Sequence, residues 1–362
     1  MKTQEKMEKN GFNIREIAKR AGCSASTVSR VLAGRVGAVK ISERTAEKVR
    51  KICAELDYQP SIHAARLFSG KSRVIGFLSA CSFMPNDNNF AKSFFHFCEA
   101  ISIYGYRVLP LLNTESFREK KEYLNIFKRG EIDALIVWGA KDSDDFLHEI
   151  RDAGYPMLLL TNRVGDFPAV TCEQKSAIEA MTLAASANGA KRIAGIMNDT
   201  CHSLIQRRDG FLEAAGKIPA ETHLWHLVPE HDFGLRSFHS KIREILAWKP
   251  DALICFNDET AVGIIHYLLE HGIRVPHDMM VSGGDNILLS EYGEVALTTF
   301  DQEAEHCSRT AAEMLAEHLI NGKSLISVEL PSEVIWRKSL PKPPSFRKNR
   351  SEIKKKMQFS RK

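Results

Sequence analysis

A short stretch near the N-terminus carries side chains suited to contact with a nucleic acid. Apart from one arginine they are small or hydroxylated: Ser24, Ala25, Ser26, Thr27, Ser29 and Arg30. Short hydroxyl side chains let a backbone approach phosphates and base edges closely, and a guanidinium group can donate to a guanine or a phosphate. We therefore predict that these residues contact DNA, provided that one helix presents them together.

The surrounding sequence has the pattern of three short helices. The first is predicted to begin at Asn13, because Asn13 and Glu16 fit a capping box. Gly22 ends that helix, Ser24 can cap a second one, and a third is predicted to begin at Ser42. The second helix has an apolar stripe at helical spacing, formed by Val28, Val31 and Leu32. This order is the helix-turn-helix plan, although a generic three-helix bundle with a basic surface also fits the pattern alone.

Residues 13–32 resemble the N-terminal signature of the lactose/galactose repressor (LacI/GalR) family of bacterial transcriptional regulators. The matching pattern is Ala-x-x-Ala-Gly-x-Ser-x-x-Thr-Val-Ser-Arg-Val-Leu, and residues 57–60 resemble the family's exit from its third helix. The resemblance implies that Ala25 and Ser26 select base pairs at the mouth of the major groove and that Arg30 contacts DNA. Ala33-Gly34 departs from the family, which usually has Asn or Asn-Gly there.

The same resemblance assigns residues 1–59 to a helix-turn-helix DNA-binding domain and 60–72 to a hinge segment. It implies that Leu67 inserts into the minor groove, where an apolar wedge unstacks bases and bends the duplex. Arg66 is the basic residue beside it, whereas many family members carry the arginine one position earlier, at Ala65. A plain interdomain linker in which Leu67 is a packing residue is the alternative.

From Val74 onward, apolar runs of strand length alternate with amphipathic stretches. The predicted strands are 74–79, 108–112, 134–137, 157–161, 192–196, 252–255 and 280–283. The predicted helices include 93–104, 117–129, 178–187, 211–215, 238–247 and 260–269. Strand–helix alternation predicts doubly wound parallel sheets, and the number of units favours two lobes. The fold class is therefore an all-α head plus an α/β core over 73–340, which resembles the family's periplasmic-binding-protein-like core. The resemblance places crossings between the lobes near Asn162, Asn286 and Ser324.

Ligands of parallel sheets bind beyond the carboxyl ends of the strands. Asn257 and Asp285 each follow a predicted strand, and both match family positions that hydrogen-bond a small polar effector. The resemblance adds Arg207, which lies in an Arg-x-x-Gly-Phe pattern, together with Arg163 and the aromatic Phe233. A carboxylate, a guanidinium and an amide together suit vicinal hydroxyl groups, so the expected effector is a sugar or a sugar derivative.

Other interpretations of this region stay open. Asp258 and Asn286 are alternatively loop caps, and Phe233 is alternatively a core residue. Residues 172–174 read Cys-Glu-Gln where many family members have Val-Asp-Asn, and residues 80–90 lack the family's Asn-Pro-Phe-Phe. The effector is therefore atypical, or the pocket has lost its ligand.

Charge is distributed unevenly along the 362 residues, whose net charge is +5. Residues 1–72 carry a net +8 and residues 341–362 another +8, so the stretch between them carries −11. Basic ends on an acidic body favour a polyanionic partner at the ends. The tail, 341–362, has the composition of a disordered segment.

Several classes are disfavoured by what the sequence lacks. It shows no apolar run long enough for a membrane helix, no export signal and no paired cysteines, which predicts a cytoplasmic protein with reduced thiols. It has no nucleophile elbow, Walker loop or dinucleotide fingerprint, so we expect neither an enzyme nor a cofactor. His223, His226 and His231 lack the spacing of a metal-binding helix, and no metal site is predicted.

These observations predict a transcriptional regulator, in the first instance a repressor. It would bind a near-palindromic DNA operator as a homodimer and respond to a sugar-like effector in the cleft of its core. The alternatives are an activator or an effector-independent regulator of the same family, a cytoplasmic sugar-binding sensor, and an α/β enzyme with an added helical domain.

Overall fold

The chain divides into two units in the computed structural model, which describes residues 13–32, 41–56, 58, 70–80, 88–227 and 235–343. The first unit comprises the residues up to Arg73 together with 128–133, and the second comprises the rest. The predicted hinge residues Arg66 and Leu67 lie outside the described residues, as do Phe233 and the tail from 344 onward.

The first unit contains the three predicted helices: α1 (Ile14–Ala21), α2 (Ala25–Leu32) and α3 (Glu43–Glu55). Their apolar stripes meet in a small core that contains the buried Ile17, Val28, Ala46 and Val49. Side-chain oxygens cap all three helices: Asn13 at α1, Ser24 at α2 and Ser42 at α3. The capping-box prediction was half right, because Glu16 does not return to Asn13; it pairs with Arg20 at 3.1 Å instead.

The second unit alternates strands and helices. Its strands are β1 (Val74–Ser79), β2 (Arg107–Leu112), β3 (Ala134–Trp138), β4 (Met157–Thr161), β5 (Ala169–Glu173), β6 (Arg192–Met197), β7 (Glu221–His226), β8 (Ala252–Cys255), β9 (Met280–Ser282), β10 (Thr299–Phe300), β11 (Val328–Pro331) and β12 (Val334–Ile335). Its helices are α4 (Asn88–Ser102), α5 (Glu115–Glu119), α6 (Glu122–Lys128), α7 (Phe146–Asp152), α8 (Lys175–Ala187), α9 (His202–Ala215), α10 (Leu235–Ala247), α11 (Asp258–Glu270), α12 (Leu288–Tyr292) and α13 (Ala304–Asn321).

The strands form two parallel sheets, which confirms the predicted pair of lobes. The first sheet has the order β11-β5-β4-β3-β1-β2, and the second has the order β7-β6-β8-β9. Buried apolar residues of β1, β3 and β4 pack against α4 and α13 to form the core of the first lobe. The second lobe packs α8 and α9 on one another beside its own sheet. A short antiparallel pair, β10 with β12, completes the unit.

The chain crosses between the lobes at three places, and the predicted positions were wrong. The first crossing is at 173–175, between β5 and α8, and not near Asn162. The second lies at 300–304, between β10 and α13, and the third at 331–334, between β11 and β12. The predictions near Asn162, Asn286 and Ser324 all lie too early in the chain, because they missed β5, β10 and β11 respectively. These strands are short or carry mixed polar residues.

Candidate functional site

Hydrogen bonds within the head fix the turn that leads into α2. Gly22 adopts a left-handed φ of 69° and its N–H donates to the carbonyl oxygens of Ala18 and Lys19, which ends α1. Ser24 then accepts a hydrogen bond of 3.0 Å from the backbone N–H of Thr27, and the two hydroxyl groups lie 2.9 Å apart. Ser24 thus satisfies one of the free N–H groups that begin a helix.

The buried stripe of α2 determines which side chains face outward. Val28 and Val31 are buried against the other two helices, so the opposite side of α2 lies at the surface of the head. Of the residues predicted to contact DNA, Ser24, Ser26 and Arg30 are exposed, while Ala25, Thr27 and Ser29 are half-buried. Ser26, Ser29 and Arg30 follow helical spacing, and they therefore share one face.

A buried ion pair lies at the carboxyl ends of the strands in the second lobe. The Arg207 side chain is 2% exposed, and its Nη2 donates to Asp285 Oδ1 at 2.6 Å. Its Nε donates to Gln174 Oε1 at 2.6 Å, and its Nη1 donates to the carbonyl oxygen of Phe256. The guanidinium also lies over the ring of Phe300, 4.9 Å from the ring centroid. Every nitrogen of Arg207 that can donate therefore has an acceptor within the protein.

Two buried carboxylates lie at this end of the second lobe. Burial raises the pKa of Asp285, while the charge of Arg207 and a hydrogen bond from Gln302 oppose the rise. Burial also raises the pKa of Asp258 well above its ordinary value, and the neighbouring charge of Asp285 adds to the rise. Thr299 Oγ1 donates to Asp258 at 2.7 Å, and the backbone N–H of Ile287 donates at 3.0 Å. Asp258 thus fastens the loop after β9.

The other predicted effector residues occupy different places. Asn257 is the N-cap of α11 and accepts a hydrogen bond of 3.1 Å from the N–H of Thr260, so its side-chain oxygen already has a partner. Arg163 is exposed and lies near His202, whose pKa is lowered by burial and then by the charge of Arg163. The structure therefore brings Arg207 and Asp285 together and leaves Arg163 outside their hydrogen-bond network.

The first lobe carries polar atoms that sequence reasoning missed. At the carboxyl edge of its sheet, the indole Nε1 of Trp138 and the amide Oδ1 of Asn113 are buried, and neither has a hydrogen-bond partner in the described part of the chain. Phe90 packs edge-on against the Trp138 ring at 5.2 Å. Lys92, which lies on α4 with Phe90, donates to the carbonyl of Asn286 at 3.2 Å. This hydrogen bond connects α4 of the first lobe to the loop that carries Asp285.

Buried donors and acceptors are almost always paired, so Trp138 Nε1 and Asn113 Oδ1 need a partner that the described residues do not supply. A polar ligand is one such partner. The sequence signal was weak, because Trp138 ends an apolar run and looks like any buried strand residue.

Gln174 and Gln302 were also missed as site residues. Gln174 is 1% exposed and lies at the first crossing, and Gln302 lies at the second. The departure from the family pattern at residues 172–174 was the available signal for Gln174. A glutamine gives no hint of an arginine partner far away in the sequence.

Within the described residues, no three His, Cys, Asp or Glu side chains are grouped so that they could hold a metal ion. His223 and His226 lie on β7, where the His223 ring packs 4.0 Å from that of Trp225. No described helix combines the length and apolar character needed to cross a bilayer.

Comparison with known proteins gives two family matches. Residues 13–61 match the model described as bacterial regulatory proteins, lacI family, and residues 184–340 match a periplasmic binding protein-like domain. A relative in Aliivibrio fischeri (strain ATCC 700601 / ES114), an HTH-type transcriptional repressor PurR, is 30% identical over 338 residues, which is 90% of this chain and 98% of the relative.

Solved structures share the fold. A lac repressor dimer bound to operator and the anti-inducer ONPF has a TM-score of 0.75 at 22% identity, over 92% of this chain and 100% of that one. A complex of the transcriptional regulator CelR with cellobiose has a TM-score of 0.66 at 21% identity, over 91% of this chain and 99% of that one.

Proposed function

The chain belongs to the LacI family of bacterial regulatory proteins, and from this premise we propose how it acts. It is a DNA-binding transcriptional regulator, and we propose that it represses by binding a near-palindromic operator as a homodimer. The lac repressor structure is that of a dimer on its operator. Two heads related by a twofold axis would read two half-sites of such an operator. A regulator of transcription works beside the chromosome, so the proposal includes a cytoplasmic location.

The exposed face of α2 is the observation that carries the proposal for the head. Ser26, Ser29 and Arg30 line it, and Ser24 and Thr27 hold its first turn in place through their mutual hydrogen bonds. A helix with short polar side chains fits into a major groove, where Arg30 can reach a base edge or a phosphate. Arg66 and Leu67 are proposed to contact the minor groove from the hinge segment.

Arg30→Ala tests the reading face, with Arg50→Ala as a matched control. Arg50 is an exposed arginine on α3 that pairs with Glu43 at 3.0 Å, so both variants remove one surface charge from the head. Fluorescence anisotropy would measure the affinity of each variant for two DNA duplexes. One is a sequence that the wild-type protein enriches from a random library, and the other has the same bases in scrambled order. Loss of a base contact costs about 1–3 kcal/mol, so Arg30→Ala should lose most of the preference for enriched DNA. Arg50→Ala should weaken both affinities equally. The same preference in both variants would contradict the assignment of α2.

A small polar effector in the cleft is the second part of the proposal. Arg207 and Asp285 would bind it from the second lobe with Asn257, while Trp138 Nε1 and Asn113 Oδ1 would meet it from the first. Arg163 and Phe233 are carried into the proposal from the sequence. A sugar-like effector is supported by the CelR relative, which was solved with cellobiose.

An effector-independent regulator is the second candidate, because each side-chain nitrogen of Arg207 already donates a hydrogen bond to an acceptor within the protein. A thermal-shift screen of sugars and nucleobases separates the two candidates. A ligand at about a hundred times its Kd stabilises by about 2.7 kcal/mol, which raises Tm by several degrees. No shift across the panel would favour the effector-independent candidate.

A further inference from the structure

Arg207 connects two of the crossings between the lobes through buried contacts. It donates to Gln174 Oε1 at the first crossing and to Asp285 Oδ1 in the loop after β9. The same Asp285 oxygen accepts a hydrogen bond from Gln302 Nε2 at the second crossing. These contacts are shielded from water, since Arg207, Gln174 and Asp285 are all buried. A charge-assisted hydrogen bond is strong in such surroundings.

The residue before Arg207 connects the first crossing to the third. Gln206 Oε1 accepts a hydrogen bond of 2.9 Å from the backbone N–H of Gln174. Gln206 Nε2 donates at 2.9 Å to Glu329, which lies on β11 two residues before Pro331 and the third crossing. Gln206 and Arg207, adjacent on α9, thus both hydrogen-bond to Gln174 at the first crossing. They are linked to the third crossing through Glu329 and to the second through Asp285, which accepts from Gln302. Gln206 and Glu329 are more exposed than Arg207, so their hydrogen bond contributes less to stability than the buried contacts of Arg207 do.

We propose that these residues form a hinge brace that fixes the angle between the two lobes: Gln174, Gln206, Arg207, Asp285, Gln302 and Glu329. A lobe rotation moves the crossing segments relative to α9, and hydrogen bonds lose most of their strength when they lengthen or bend. The brace therefore stabilises one arrangement of the lobes over others. Gln174 and Gln302 are positioning residues in this network, because they act on the lobes through Arg207 and Asp285.

The brace also gives the proposed effector a means of acting, and this step rests on the proposed function. An effector that takes over one of the hydrogen bonds of Arg207 displaces Gln174, Asp285 or the Phe256 carbonyl as the acceptor. Replacement of Gln174 frees the first crossing, so binding at the cleft is coupled to the hinge. A ligand shifts a conformational equilibrium only by its difference in affinity for the two states, and the exchanged hydrogen bond supplies that difference.

Gln174→Met tests the brace without knowledge of the effector. Methionine keeps the length of the side chain and removes the amide that accepts from Arg207. Hydrogen–deuterium exchange of the full-length protein would be followed at β10 and β12, which pair with each other next to the second and third crossings. The expected result is exchange there about tenfold faster, the effect of losing a hydrogen bond to a charged group. Thr182→Val is the control, since it removes a buried hydrogen bond of 2.8 Å inside α8, away from the crossings.

The location of the change decides the outcome. Faster exchange at β10 and β12, relative to the central strand β6, supports the brace, because Gln174 lies on a different crossing. Faster exchange confined to residues 169–180, or equal acceleration at β6, would overturn it. Gln302→Met provides the reverse arm and should accelerate exchange around residue 174. DNA binding by the wild-type protein is measured separately, so a failure of the proposed function leaves the exchange result intact.

Discussion

Replacing Arg207 with methionine should destabilise the second unit strongly, because the change leaves a buried carboxylate without its cation. Arg207 is 2% exposed and Asp285 6% exposed, so water cannot replace the lost partner. Removing one member of a buried ion pair costs about 3–5 kcal/mol. Gln174 and the Phe256 carbonyl also lose their donor, so the expected loss lies toward the upper end of that range.

The loss should depend on pH in a defined direction. Burial already raises the pKa of Asp285, and Arg207 opposes the rise, so its removal raises that pKa further. A carboxyl group with a raised pKa in the folded state binds protons more readily there than in the unfolded chain, and stability then falls as pH rises between the two pKa values. The penalty of Arg207→Met should therefore be smaller near about pH 5 than near about pH 7.5, because the buried Asp285 carboxyl group is protonated more easily at the lower pH.

Urea denaturation followed by circular dichroism would measure the free energy of unfolding at both pH values. Arg151→Met is the control, since Arg151 pairs with Asp166 at 3.1 Å on the surface and such pairs are worth about 1 kcal/mol or less. The double variant Arg207→Met with Asp285→Asn should be more stable than Arg207→Met alone, because no buried charge remains unpaired. A penalty no larger than that of Arg151→Met, or a double variant whose losses simply add, would refute the account of the pair.

Further predictions concern the hinge segment, the first lobe and α11. Leu67→Ala should reduce DNA bending, because an apolar side chain inserted between base steps kinks the duplex. Circular-permutation gel shifts would measure the bend angle, and an unchanged angle would contradict the proposed insertion of Leu67. Trp138→Phe should leave stability near that of the wild type, because it removes a donor that has no partner among the described residues, yet should abolish any effector-induced thermal shift. Asn257→Ala should cost about 1 kcal/mol by thermal denaturation through loss of an N-cap, and Asn257→Asp should recover most of it.

Local patterns were enough to predict the head. Asn13 and Ser42 lie at helix starts, Gly22 lies at a helix end, and Val28 and Val31 bury one side of α2. Each of these features depends on neighbours within a few residues, so spacing alone carries the information. The exposed positions of α2 follow directly, which is why the surface proposed to read DNA was found from the sequence.

The crossings between the lobes depend on pairings that local patterns do not contain. β5 follows β4 in the same sheet, but its sequence, Ala169–Glu173, mixes threonine and cysteine with apolar residues. β10 has two residues, and β11 lies at the edge of its sheet with alternating exposure. Their positions come from tertiary pairing, for example β11 beside β5 despite a long separation in sequence. The predicted end of the first lobe therefore came one strand too early, before β5.

The same limit explains why the buried network around Arg207 was predicted only in part. Arg207 and Asp285 were identified by resemblance, but nothing in the sequence predicts that Gln174 and Gln302 hydrogen-bond to them. Those two glutamines change how the pair can work. If Arg207 and Asp285 had no partners, the full free energy of their hydrogen bonds to an effector would contribute to binding. With their partners in place, binding gains only the difference in free energy between the new hydrogen bonds and those that the effector displaces. Affinity at this site should therefore be modest, while its effect on the lobes should be large. By linkage, DNA that favours one arrangement of the lobes must change effector affinity by the same factor that the effector changes DNA affinity.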